Sequence, residues 1–485
     1  MKISISYPPL DSGKGIALLT QNRQFQWFNE PTFIYPVVPA SAATLLKSRG
    51  YNVIWDDAIA EGLTYGQWRS RITGKDGPDL IVFETKTPVV KKHWKIINDL
   101  KAEFPDLKIV LMGDHVSAMP LETFENSKTD YIITGGDYDF LLLSLADFLT
   151  KNSPPEPGIY WKNGKGEVLN SGRFERKYSL DDLPMIDRDL TRWELYAFNN
   201  GNYKKTPGAY TMAGRDCWYH QCTFCSWTTL FPSFNKRKPS NLLDEIGMLV
   251  EKYSVKEIMD DTGTFPVGDW LREFCEGMIN RGYNKKISID CNMRLGSSIT
   301  KEDAVLMKKA GFRLILVGIE SGNQATLDRI KKGETIDEMI TNVKMLRKAG
   351  LYPHITIMFG YPWETGQDAE RTLKMGKDLL IKNYAYTMQA TIVIPYPGTP
   401  LFDECKENGW LNTNDWDMFD MRGPVMKSPI GGENLMKLVQ GLYSVSFNPE
   451  FLARKLLSMR DLGDLMYFAR AGKKVLGHIF DFKNK

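Results

Sequence analysis

Short apolar runs alternate with amphipathic stretches along most of this chain, and the alternation falls into two blocks. In the first block the runs are "KISISY" (Lys2–Tyr7), "NVIWDD" (Asn52–Asp57), "DLIVFE" (Asp79–Glu84), "KIVLMG" (Lys108–Gly113) and "DYIITG" (Asp130–Gly135). They are short and nearly continuously apolar, as strands covered on both faces must be. Helix-like segments separate them, among them "ASAATLLKSRG", which Gly50 stops, and "VVKKHWKIINDLKAEF". This predicts a doubly wound, Rossmann-like α/β domain over residues 1–150, with ligands near "ETKTP" (Glu84–Pro88) and "GDHVSA" (Gly113–Ala118). The polar residues there also suit ordinary loop and helix-cap chemistry.

A breaker cluster, "NSPPEPG", and a hairpin signal at Asn163-Gly164 mark a linker over residues 151–205. The second block then begins. "AYTMAG" (Ala209–Gly214), "KEIMDD" (Lys256–Asp261), "KISIDC" (Lys286–Cys291), "RLILVG" (Arg313–Gly318), "HITIMFG" (His354–Gly360) and "ATIVIP" (Ala390–Pro395) are separated by amphipathic stretches such as "KEDAVLMKKAG". Six strand–helix units predict a partial (β/α)6 TIM-type barrel over 206–405, with chemistry at the carboxyl ends of its strands. Residues 406–485 read as a helical region.

Composition adds limits. At 485 residues, 42% apolar and 25% charged, the chain is globular and asks for two or three domains. A net charge of +3 argues against a dedicated nucleic-acid binder. The start resembles no signal peptide, and no apolar run approaches the ~20 residues that span a bilayer. Six scattered cysteines do not look like a disulfide framework, so a reducing cytoplasm is expected. The stretch Phe451–Lys485 carries eight Lys or Arg against three Asp. A solvated helix face is the preferred reading, with a seat on a membrane or an anionic substrate as the other.

Half of the cysteines crowd into "GRDCWYHQCTFCSW" (Gly214–Trp227), just after the first barrel strand. Cys217, Cys222 and Cys225 can point three sulfurs at one centre. With His220 they form a Cys3His zinc set. Cys222 and Cys225 alone form a C-x-x-C redox pair, but nothing nearby is thioredoxin-like. Alternatively, the three hold a four-iron four-sulfur cluster with one open iron. Such a cluster needs a site for the ligand on that iron, and the later strand ends offer one. Asp260 and Asp261, Arg294, Glu320 with Ser321, "GYP" (Gly360–Pro362) and "PYPGTP" (Pro395–Pro400) all fall at the same mouth. The combination favours the cluster, with zinc on His220 as the alternative. Cys275, Cys291 and Cys405 read as buried small hydrophobes.

The cysteine loop resembles that of radical S-adenosylmethionine enzymes, including Phe224 before the third cysteine. "MDDTGTF", "CNMRLG", "AGFRLILVGIESGNQATLDRIKKG", "MFGYPWET" and "IPYPGTPLF" are similar to the cobalamin-binding class of that family. The stretch from Ile109 to Leu149 looks like the end of that class's cobalamin domain. The resemblance covers roughly residues 1–410. It implies reductive cleavage of S-adenosylmethionine at a [4Fe-4S] cluster on Cys217, Cys222 and Cys225, giving a radical that attacks an unactivated carbon. Asp260 and Asp261 would accept from the methionine amino group or the ribose, Arg294 would pair with the carboxylate, Glu320 would bind the ribose hydroxyls, Phe224 would face the adenine, and Ser321 would belong to the same S-adenosylmethionine site. Cobalamin would lie against Glu84, Thr85, Gly113, Asp114, His115, Gly135 and Gly136.

The implied outcome is methyl transfer to a large hydrophobic substrate. The runner-up is anaerobic cyclisation or rearrangement of the tetrapyrrole or hopanoid type; a non-catalytic zinc- or cobalamin-binding sensor is the reading from another class. An electron donor such as flavodoxin or ferredoxin, and peripheral membrane contact through the C-terminal helices, are the expected partners. Two departures stand out. The spacer Trp218–Gln221 has four residues where the family usually has three, and no D-x-H-x-x-G run supplies a cobalt-ligating histidine, since Asp114 and His115 are adjacent. The absence of any cysteine before Cys217 argues against the methylthiotransferases, which carry a second cluster there.

Overall fold

Parallel pairing of the buried runs builds two sheets. A computed structural model describes residues 1–19, 25–29, 31–459, 463, 465 and 467–469; most of the basic segment Phe451–Lys485 lies outside the described residues. In the first sheet, β1 (Lys2–Tyr7), β2 (Asn52–Asp57), β3 (Leu80–Thr85), β4 (Lys108–Gly113) and β5 (Tyr131–Ile133) lie in the order β2-β1-β3-β4-β5, all parallel. That is a doubly wound order whose switch point lies between β1 and β3. β6 (Ile159–Lys162) and β7 (Val168–Asn170) extend it as an antiparallel hairpin, turning at Asn163, so this part of the expected linker is sheet.

The second sheet is wholly parallel, with neighbours in chain order: β8 (Gly208–Thr211), β9 (Glu257–Asp260), β10 (Ser288–Met293), β11 (Phe312–Glu320), β12 (Tyr352–Phe359) and β13 (Thr387–Ile392). Six strands with helices between them form the expected partial barrel. Three of its helices start at capping boxes, on Thr300 with Asp303, Thr335 with Glu338 and Thr365 with Asp368. In each, the Thr hydroxyl and the acid satisfy backbone N–H groups that the first turn leaves free. At the amino ends of the strands, Arg313 donates to Glu257 Oε1 and Asp290 Oδ2, both at 2.6 Å. This buried network lies at the end of a barrel that serves stability. No helix among the described residues is long and apolar enough to cross a membrane.

The two sheets meet through their carboxyl-end loops. Helix Asp114–Ala118, which follows β4, packs on helix Trp227–Leu230, which follows the cysteine loop. Gly136 admits the Phe231 ring so closely that a Cβ there would stand 2.2 Å from Phe231 Cζ. Between these contacts Arg215 reaches across, donating from Nη1 to Asp137 Oδ1 at 2.6 Å and Asp139 Oδ1 at 3.0 Å, and from Nη2 to Asp139 Oδ2. All three side chains are buried. Burial alone would lower the Arg215 pKa, but the two carboxylates outweigh it and hold the guanidinium charged.

Removing that cation strands two buried acids. Arg215→Ala should lower unfolding stability by about 3–5 kcal/mol in urea denaturation. Adding Asp137→Asn and Asp139→Asn to it should restore part of the loss. A triple variant no more stable than the single one would contradict an electrostatic origin.

Candidate active site

The cysteine loop departs from β8 along a path fixed by Asp260, the last residue of β9. Its Oδ2 accepts from Thr211 Oγ1 at 2.9 Å and from Ala213 N at 2.8 Å. Its Oδ1 accepts from Thr262 Oγ1 at 2.6 Å, and Thr262 Oγ1 in turn accepts from Gly214 N at 2.9 Å. Burial raises its carboxyl to about 6 despite these donors. Both Asp260 oxygens thus have internal donors, and the carboxylate aims the loop. Asp261 is buried beside it, its N–H bonded to Thr211 O at 2.8 Å.

All six thiols are free; the three in the loop are half-buried and the other three buried. Cys217 Sγ lies 3.1 Å from Thr264 Oγ1. Burial first, then Glu320 and Cys217 against the opposing pull of Lys332, pushes Cys222 up to about 11. Burial, reinforced by Cys222 and Cys217, holds Cys225 well above the ordinary range. Three unpaired thiols in one loop would give up their protons to a cationic ligand that gathered them. The donor set thus fits an iron–sulfur cluster. His220, by contrast, turns its Nδ1 to the Asp216 carboxylate. No three His, Cys, Asp or Glu among the described residues stand close enough to hold one metal ion.

The cysteine loop is hydrogen-bonded to the opposite wall. Asp216 and His220 both take left-handed backbone angles, φ +74° and +51°. Thr223 N donates to Ile330 O at 3.0 Å, and Leu401 N, after the "PYPGTP" turn, donates to Thr223 O at 2.9 Å. Arg294 is buried, with Nη2 donating to Gly333 O at 2.7 Å and Nη1 lying 3.5 Å from Glu334 Oε2. Glu320, at φ +64°, accepts from Lys332 Nζ at 3.1 Å. Burial opposes a charged Lys332, but Glu320 and Glu334 outweigh it and raise its pKa.

Ser321 is the exception. It is buried and donates to Glu364 Oε1 at 2.7 Å, which makes it part of the wall. Phe224 packs half-buried against the core. Around the same mouth the buried Trp218 Nε1, Asp216 Oδ1 and Tyr361 Oη have no hydrogen-bond partner among the described residues. Glu320 and Cys222 both contribute to raising the Tyr361 hydroxyl, after burial. Sequence reasoning passed over Lys332, Tyr219 and Arg215. Lys332 and Arg215 sit in polar runs that look solvated, and only the fold buries them.

At the first sheet, most of the expected residues already have internal partners. Thr85 Oγ1 bonds His93 Nδ1 at 2.8 Å, and Asp114 pairs with Lys86 at 3.2 Å. A Cβ on Gly113 would come within 2.0 Å of Thr85 O, and one on Gly135 within 2.3 Å of the Phe174 ring. Gly135 and Gly136 thus admit aromatic rings. His115 is fully buried, its Nε2 3.1 Å from Glu122 Oε2 and its Nδ1 3.3 Å from Thr87 Oγ1, with Trp94 and Trp416 edge-on around it. Both of its ring nitrogens thus have internal partners. Glu84 differs. Tyr7 Oη donates to its Oε2 at 2.6 Å, while the buried Oε1 and the buried Tyr138 Oη have no partner among the described residues. These two orphaned polar atoms at the carboxyl end of the sheet fit a polar ligand there.

Comparison with known proteins places this geometry. The radical SAM superfamily model matches residues 213–376.

The chain carries a radical SAM domain.

The matched stretch opens just before the cysteine loop, and the fold around it resembles those of two cobalamin-dependent enzymes. A Kitasatospora setae radical SAM methyltransferase, TsrM, solved with cobalamin and a [4Fe-4S] cluster bound, superposes with a TM-score of 0.69 at 14% identity, covering 92% of this chain and 88% of that one. The cobalamin-dependent radical enzyme OxsB, solved with aqua-cobalamin and S-adenosylmethionine, gives 0.71 at 17% identity over 98% of this chain and 71% of that one. Among curated relatives, the anaerobic magnesium-protoporphyrin IX monomethyl ester cyclase of Rubrivivax gelatinosus is 26% identical, covering 93% of this chain and 84% of its own length. The bacteriochlorophyllide d C-8(2)-methyltransferase of Chlorobaculum tepidum is 29% identical, with 80% and 82% covered. By their names these curated relatives are a cyclase and a methyltransferase, and the part of this chain that matches the radical SAM superfamily is residues 213–376.

Glu84 offers a direct test of the buried acid. Burial, only partly offset by Tyr7, pushes its carboxyl from 4.5 up to about 7. A raised folded-state value favours folding at low pH, and that contribution is lost as pH climbs to about 7, at a cost of about 3 kcal/mol above it. Glu84→Gln keeps an acceptor for Tyr7, so its melting temperature should exceed that of the native chain at pH 8 and match it at pH 5. A gain confined to pH 5 would contradict this.

Proposed function

We propose that this chain cleaves S-adenosylmethionine at a [4Fe-4S] cluster held by Cys217, Cys222 and Cys225, and with cobalamin methylates an unactivated carbon of a large hydrophobic substrate. The observation that carries the proposal is the set of three free, half-buried thiols in one loop at the carboxyl end of the first barrel strand. When bound, the cluster supplies the electron and S-adenosylmethionine the radical precursor, while cobalamin carries the methyl group. The remaining roles fall to side chains. Arg294 offers a fixed cation to the S-adenosylmethionine carboxylate, Glu320 held by Lys332 accepts from its ribose or amino group, and Phe224 gives the adenine an apolar surface. The unpartnered Trp218 Nε1 and Tyr361 Oη are available donors. Asp260 and Ser321 hold the frame. Glu84 and Tyr138 face the cobalamin side.

The names of the relatives support a tetrapyrrole-like substrate, since magnesium-protoporphyrin ester and bacteriochlorophyllide d are both large apolar macrocycles. The cyclase, which matches over more of the chain than the methyltransferase does, keeps anaerobic ring formation as the second reading. A flavodoxin or ferredoxin is the donor class that suits the electron step.

The test is anaerobic reconstitution with iron and sulfide, then reductant and S-adenosylmethionine. The proposal expects 5′-deoxyadenosine, and S-adenosylhomocysteine once substrate is present; 5′-deoxyadenosine alone with substrate turned over favours cyclisation. Cys217→Ala, Cys222→Ala and Cys225→Ala should each abolish the brown chromophore, whereas Cys405→Ala should keep it. A colourless native protein with one zinc per chain would falsify the proposal.

A further inference from the structure

The spacer that departs from the family pattern is built into the wall that holds Arg294. The Tyr219 ring lies under the Arg294 guanidinium, whose Cζ is 3.5 Å from the ring centroid, with Trp218 at 6.0 Å. Tyr219 Oη donates to Lys331 O at 3.0 Å, and Arg294 Nη2 donates two residues further along the same turn, to Gly333 O, at 2.7 Å. Gly333 is needed twice over. Its φ is +63°, and a Cβ there would stand 2.1 Å from Tyr219 Oη and 3.2 Å from Arg294 Nη2. Between the two bonded carbonyls lies Lys332, whose ammonium holds Glu320. One short turn, Ile330–Glu334, therefore holds the cysteine-loop spacer, Arg294 and, through Lys332, Glu320.

We infer that Tyr219 is a positioning residue for S-adenosylmethionine: it fixes the Arg294 guanidinium directly and, through the Lys331–Gly333 turn, sets the Lys332–Glu320 pair. This rests on the function proposed above. The fourth spacer residue has a purpose in this account. With Asp216 and His220 left-handed, it gives the loop the length to lay Tyr219 against Arg294 and the Lys331 carbonyl.

The experiment titrates S-adenosylmethionine into the reconstituted, reduced holoprotein and follows the change in the electron paramagnetic resonance signal of the cluster. Tyr219→Leu loses both the cation–ring contact and the hydrogen bond, so half-saturation should need about tenfold more S-adenosylmethionine, with iron and sulfide content unchanged. Tyr219→Phe keeps the ring and should need about threefold more. Gly333→Ala attacks the same joint from the other side and should behave like Tyr219→Leu. Native half-saturation in Tyr219→Leu overturns the inference alone. Loss of cluster iron in both Tyr219→Leu and Gly333→Ala also overturns it, by making the joint part of the cluster scaffold. A native protein that takes up no cluster sinks the functional reading and the inference with it.

Discussion

The guanidinium of Arg215, held between Asp137 and Asp139, sets the relation on which the rest of this molecule depends. Arg215 stands two residues before Cys217, and its acids open the helix that follows β5 of the first sheet. A buried cation with two buried acids has no solvent to fall back on, so the three groups must stay together or the interface pays the full desolvation cost. One end of the cysteine loop is thereby tied to the Rossmann-like sheet. The other end is tied by Phe231 against Gly136 and by helix Trp227–Leu230 against helix Asp114–Ala118. Two strand-end regions, one from each sheet, are thereby held against each other.

Within that frame the buried acids divide by the end of the barrel they occupy. Glu257 and Asp290, at the amino ends, neutralise Arg313 and close the bottom. Asp260, at the carboxyl end, spends its oxygens on the backbone that launches the cysteine loop. Glu320, Glu334, Arg294 and Lys332 form a charged set beside the thiols. Acids one strand apart thus do unlike work, because strand direction decides which of them can meet a ligand.

Much of the architecture was legible in the sequence because it rests on periodicity. The runs Lys2–Tyr7, Asn52–Asp57 and Lys108–Gly113 are strands with the expected limits, and the barrel strands lie within a few residues of theirs. Residue type and position were enough to bring the three thiols, Arg294 and Glu320 to one mouth. What could not be read was partnership. Asp260 and Ser321 look like ligands in a sequence, yet their hydrogen bonds to Ala213 and Glu364 depend on a neighbouring strand or helix. His115 looked available until Trp416, three hundred residues away in the chain, covered it. Arg215, Lys332 and Tyr219 were invisible for the same reason: each acts through a contact distant in sequence.

The claim that the two halves present their ligands to each other across the Arg215 bridge is open to one direct measurement. With the cluster reduced and cobalamin in its paramagnetic cob(II) form, electron paramagnetic resonance reports whether the two spins interact. The account predicts a spin–spin interaction in the native holoprotein that is weakened in Arg215→Met. Two independent, unperturbed signals in the native protein would contradict it.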